Sequence, residues 1–179
     1  MSVPEPALTA RARRAYEWGR VRAAFPMVLI VVPMAGLSWL ACRQYAVTGT
    51  CGVLLAVVLL LSLWRGQQFA RGARMGLLAG LGPFLLPMVT AATGHLCWED
   101  RCLLFPTACI AGGLVAGLAV WIAQRHSETS AAFLVPALAV AALAGSMGCV
   151  VAGALGVAGM AGGMAVGTLP LLAARARTA

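Results

Sequence analysis

Three cysteines, one histidine and two acids fall within sixteen residues of this chain, in GHLCWEDRCLLFPTAC (94–109). His95 and Cys97 offer an imidazole and a thiolate two residues apart, with Glu99, Asp100 and Cys102 close behind. Soft thiolates beside an imidazole suit zinc, copper(I) or cadmium, so His95, Cys97 and Cys102 are candidate metal ligands. The spacing matches no standard zinc motif, and two other chemistries stay open: structural disulfides and a redox-sensing thiol set. The remaining cysteines are Cys42, Cys51, Cys109 and Cys149.

The elements that must position these groups are apolar. Of 179 residues, 61% are hydrophobic and 10% charged, against about 25% charged in soluble domains. Spanning helices need about 20 apolar residues. Six such runs are expected, near 25–42, 50–64, 75–95, 103–123, 131–148 and 150–173, with the second starting nearer Ala46. The last two are separated only by GSMGC, which predicts a tight hairpin with Gly145 and Gly148 at its turn. The expected fold is an all-α polytopic bundle: a basic arm (1–24), a six-helix transmembrane domain (25–174) and a short tail (175–179). The arm is too polar for a signal peptide and is expected to stay attached.

Every basic residue is an arginine, and the net charge is +8. Their placement between apolar runs follows membrane topology, which argues against direct nucleic-acid binding. With both termini cytoplasmic, eleven arginines lie inside and only Arg43 and Arg101 outside. The arginine-rich, lysine-free composition points to a bacterium, hence to a multi-pass inner-membrane protein. This topology puts Cys42, Cys51, Cys97, Cys102 and Cys149 at the outer face and Cys109 in the outer half of the fourth helix. All six are therefore candidates for signal sensing or disulfide formation.

Catalysis is not expected. The chain has no CxxC, the motif that activates thiols in disulfide chemistry. Ser146 in GSMG lacks a nearby base, because His95 and His126 fall on opposite sides of the membrane. No acid lies mid-membrane, which removes the usual mark of proton or cation transport. No cofactor is expected. GxxxG pairs at Gly76/Gly80, Gly113/Gly117, Gly159/Gly163 and Gly163/Gly167 suit close helix packing, within the bundle or in a homo-oligomer. Pro83 and Pro87 share one face of the third helix, where a kink is expected.

The arm, LTARARRAYEWGRVRAAF, reads as a helix with Thr9 as N-cap. Arg11, Arg13, Arg14, Tyr16, Glu17, Trp18 and Arg20 are its candidate partner-binding residues, the aromatics as anchors. A basic arm held by anionic lipid is the plainer alternative.

With its RRAYEWGRVRAAF arm, the GGLVAGLAV stretch of helix four, and outward cysteines with His95, the chain resembles the polytopic anti-sigma factors of proteobacteria. These include the types that restrain sigma F and that regulate carotenoid synthesis in myxobacteria. The resemblance implies a six-helix membrane protein whose arm sequesters an extracytoplasmic-function sigma factor. A signal at the outer cysteines or in the bilayer would release it, as a regulator of transcription in a stress response. A small redox or heavy-metal-handling membrane protein is the alternative reading.

Overall fold

The computed structural model describes residues 5–41, 45–93, 104–125, 131–150 and 153–176. Seven helices account for nearly all of them: α1 (Glu5–Leu29), α2 (Val31–Ala41), α3 (Tyr45–Arg65), α4 (Gln67–Thr93), α5 (Leu104–Arg125), α6 (Ala131–Cys149) and α7 (Gly153–Ala176). No strand occurs among the described residues. Six helical segments are long and apolar enough to cross a bilayer, the first being Arg14–Leu40, which runs through α1 and α2. The chain is an all-α, multi-pass membrane bundle.

That first span is interrupted at Ile30. Pro33 has no N–H to bond the Leu29 carbonyl, so the helical ladder is broken there and restarts in α2. α3 begins at Tyr45, close to the expected Ala46. α4 begins eight residues earlier than expected, because RGQQFARGAR continues the helix beyond the apolar stretch. Its 27 residues extend about 40 Å, more than the roughly 30 Å hydrocarbon core. Gly66, at φ 116°, makes the corner between α3 and α4.

α6 is the central helix, with 61% of its span buried against 24% for the first span. Two glycine ladders bind the bundle. Gly72, Gly76 and Gly80 on α4 lie against the backbone of Phe133, Ala137 and Ala141 on α6. Gly113 and Gly117 on α5 lie against Met160 and Met164 of α7, while Gly163 and Gly167 meet Ile110 and Leu114 in return. Small residues allow this approach, and dispersion drives it where lipid supplies no hydrophobic gain. Val31, Met34, Leu55, Leu59, Leu77, Phe84, Val140 and Met147 fill the interior between α2, α3, α4 and α6. Leu40, Val53, Leu78, Val135 and Leu155 point outward, as a lipid-facing surface requires.

The expected turn at Gly145 and Gly148 is not there. Both glycines lie inside α6, where a Cβ would collide with Met160 or with the Phe84 carbonyl. They are contact glycines, and the reversal comes later, where Gly153 takes φ 73°.

Candidate functional site

Of the predicted thiols, Cys51, Cys109 and Cys149 lie among the described residues, and all three are free. Cys42, Cys97, Cys102 and His95 lie outside them, as does His126. The proposed His95–Cys97–Cys102 ligand set therefore falls outside the described residues. Among those described, no group of three or more His, Cys, Asp or Glu side chains could hold a metal.

Cys109 and Cys149 are brought together. Cys109, on the second turn of α5, and Cys149, the last residue of α6, are both 0% exposed. Their side chains share one buried cluster with Met160 of α7, and Val157 packs against it. Cys149 was expected in an outer loop. It is instead core, because the two contact glycines let α6 run on past Phe84 and Met160. The Cys149 thiol also donates to the Pro83 carbonyl at 3.8 Å. Pro83 and Pro87 are both fully buried in α4, and Gly112 of α5 fits against the Pro83 ring. Four helices thus meet around two thiols, a thioether and a proline pair. Chemically, two adjoining thiols can form a disulfide or bind a soft cation in place of their protons.

Cys51 stands apart on α3, half-buried, with the Ser146 hydroxyl 3.9 Å from its sulfur. Ser146 also donates to Leu143 O at 2.9 Å, an ordinary helical back-bond, so it has a structural role. Ser38 ties α2 to the end of α6 through a 2.8 Å bond to Met147 O.

The arm is helical throughout 5–29 and continuous with the membrane segment. Arg11, Arg14, Tyr16, Glu17 and Trp18 are exposed, with Tyr16 at 66% and Trp18 at 71%. Arg13 lies on the same helix. Arg20 turns inward: its guanidinium stacks 5.4 Å from the Tyr16 ring centre and reaches over Gly66. A side chain at Gly66 would come within 2.7 Å of Arg20 Nη2, and its φ is one that only glycine takes readily. Tyr16, Glu17, Arg20, Trp64 and Arg65 line a shallow cleft of about 370 Å³ at this corner. Two more arginines stack on aromatics at the same end of the bundle, Arg65 on Phe69 at 6.0 Å and Arg125 on Trp121 at 4.0 Å. Guanidinium over an aromatic face at the membrane boundary anchors that end of the bundle.

Sequence reasoning missed the Cys109–Cys149 pairing. The available signal was the Pro83–Pro87 spacing, which frees one buried carbonyl that some donor must meet. No protein-family profile, characterised protein or solved structure matches the chain.

Proposed function

We propose that this chain is a non-enzymatic, multi-pass regulator of the bacterial inner membrane. Its cytoplasmic arm holds an extracytoplasmic-function sigma factor, and thiol chemistry in the opposite half of the bundle releases it. The observation that carries the reading is the arm itself: a helix continuous with the first span that leaves Tyr16 and Trp18 uncovered by the bundle, among arginines. Exposed aromatics flanked by arginine are the usual anchors of a protein interface. The Cys109–Cys149 contact supplies a two-state element, since a disulfide or a bound soft cation alters the α5–α6 contact. A signal acts only if it favours one conformer over the other. The test is capture of the tagged chain from native membranes, with and without reductant, followed by identification of soluble partners. Recovery of a sigma factor that is lost on deleting residues 1–24 supports the reading, and recovery of membrane components alone sinks it.

The thiol pair also favours a second reading, a membrane protein that handles redox equivalents or soft metal ions without an arm partner. Replacing Cys109 and Cys149 by Ser separates the two: a regulator locks on or off, whereas a carrier loses flux.

A further inference from the structure

Three sulfurs from three separate helices converge at one end of the bundle. Cys109 of α5 and Cys149 of α6 are 0% exposed, Met160 of α7 is 2% exposed, and the three share one buried cluster. Two glycines bring them together. Gly113 follows Cys109 by one turn of α5 and lies against the Met160 carbonyl. Gly145 precedes Cys149 by one turn of α6, and the Met160 sulfur lies 2.7 Å from where its Cβ would sit. Residues four apart share a helix face, so each glycine clears the face that carries its cysteine. The α7 backbone can then close on α5 while the Met160 thioether crosses to the Cys149 face of α6.

The donor set is uniform in its chemistry. Helices α4, α5, α6 and α7 contain no His, Asp or Glu, so neither imidazole nor carboxylate accompanies the sulfurs in these helices. Zinc draws its four ligands from thiolate, imidazole and carboxylate, while calcium and magnesium take oxygen. Two thiolates with a thioether select copper(I) instead. The apolar surroundings, with Val157 packed on the cluster, shield such an ion from water.

We infer that Cys109, Cys149 and Met160 form a three-sulfur site for copper(I). Binding expels one proton from each thiol to the medium and leaves a complex of one negative charge. The N-terminal halves of α5 and α7 frame that charge, at the helix ends that favour an anion. Loss of the Cys149 proton also ends its bond to the Pro83 carbonyl, which lies 3.8 Å from that sulfur and so has the cation nearby in its place. Binding here rests on the soft-metal reading of the thiol pair given above, and needs no sigma-factor partner.

The full chain, reduced and kept anaerobic in detergent micelles, is titrated with copper(I) held by the coloured chelator bicinchoninate. A variant with Cys42, Cys51, Cys97 and Cys102 all replaced by Ser keeps only the buried pair. It should withdraw one copper(I) per chain, release two protons, and hold the ion against excess zinc(II). Adding Cys109→Ser and Cys149→Ser should abolish uptake. Met160→Leu, close in volume, should weaken binding at least about tenfold, as loss of a group supporting a metal does. One measurement requires no variant to fold. The wild type labelled with selenomethionine and loaded with one equivalent of copper(I) should show copper–selenium scattering in its X-ray absorption spectrum, and Met160→Leu should lose it. No uptake by the four-serine variant, uptake that survives loss of Cys109 and Cys149, or displacement by zinc(II) would overturn the site. Bound copper without a selenium neighbour would overturn it too. Copper uptake by a chain that captures no sigma factor would sink the regulator and leave the site standing; capture without uptake would do the reverse.

Discussion

Cys149 donates to the carbonyl oxygen of Pro83 across 3.8 Å, and Pro87 is the reason that oxygen is available. In an unbroken helix the N–H of residue 87 would take the Pro83 carbonyl, but proline has none. The bundle fills the vacancy from a neighbouring helix, which fixes α6 against α4 near the end of the α4–α6 ladder. Cys149 is therefore at once a hydrogen-bond donor to α4 and a buried neighbour of Cys109 on α5.

This relationship sets the first prediction. Cys149→Ala should destabilise the bundle by about 1–2 kcal/mol, through an unpaired buried carbonyl and a small void. In a Pro87→Ala background the N–H of residue 87 returns, and the same substitution should cost less, with a coupling of about 0.5–1 kcal/mol. Reversible unfolding in mixed micelles measures the cycle. Strictly additive costs would show that the bond contributes nothing.

The glycine ladders give a second. Gly113→Ala and Gly163→Ala each force a methyl into backbone on the facing helix, and should cost about 1–3 kcal/mol. Gly82→Ala and Gly162→Ala meet open space and should change stability by no more than about 0.5 kcal/mol. A loss at Gly113 confined to self-association, with monomer stability intact, would instead assign that face to a dimer.

Much of this was legible in the chain. Six apolar runs gave six spans, because length and hydropathy are all that crossing a bilayer demands. The glycine pairs at Gly76/Gly80, Gly113/Gly117 and Gly163/Gly167 announced close packing, though only the structure gave them partners inside the monomer. What misled was GSMGC. Glycine near a hairpin reads as a turn, and nothing local distinguishes it from glycine that a neighbouring helix has pressed flat. The Cys109–Cys149 contact was illegible for a related reason. It joins residues forty positions apart through the lateral arrangement of α4, α5 and α6, which hydropathy does not encode. A groove beside α3 was hidden too, since Gly36 and Gly49 look like packing glycines until one sees that nothing packs on them.

A third prediction concerns the arm. Trp18→Ala or Tyr16→Ala should reduce capture of the soluble partner by at least about tenfold, the loss of one interface anchor at about 2 kcal/mol. Trp18 is 71% exposed, so Trp18→Ala should leave expression and the unfolding midpoint unchanged. Tyr16→Ala also removes the face on which Arg20 stacks, so the arm should become more accessible to protease near Arg20. Undiminished capture by both variants would remove the arm from the interface.

The corner at Gly66 makes a fourth prediction. Gly66→Ala must hold a φ of 116° and displace the Arg20 guanidinium, and should cost about 1–2 kcal/mol. Adding Arg20→Ala should recover only the steric share and leave the backbone share. Full recovery would mean that the backbone strain is negligible, and no recovery that Arg20 is not in the way.

The thiol pair supplies the last. Both sulfurs are enclosed, so a membrane-permeant maleimide should label Cys109 and Cys149 in intact membranes at under about a tenth of the rate seen in SDS, since reaction needs an exposed thiolate. The two thiols share one buried cluster, so oxidation tests whether the pair can close. A small permeant oxidant should take two electrons and two protons from the pair and leave an α5–α6 disulfide, seen as a Cys109–Cys149 linked peptide. Closure must break the Cys149 bond to Pro83, so oxidation should carry a structural cost that Cys149→Ala does not add to. If the pair is the trigger of a regulator, oxidation should also lower partner capture at the arm, and Cys109→Ser should abolish that response while leaving basal capture intact. Rapid native labelling of both thiols would show that the site is open rather than enclosed. A linked peptide with unaltered capture would leave the pair a redox site without an output at the arm, which is the behaviour expected of the carrier.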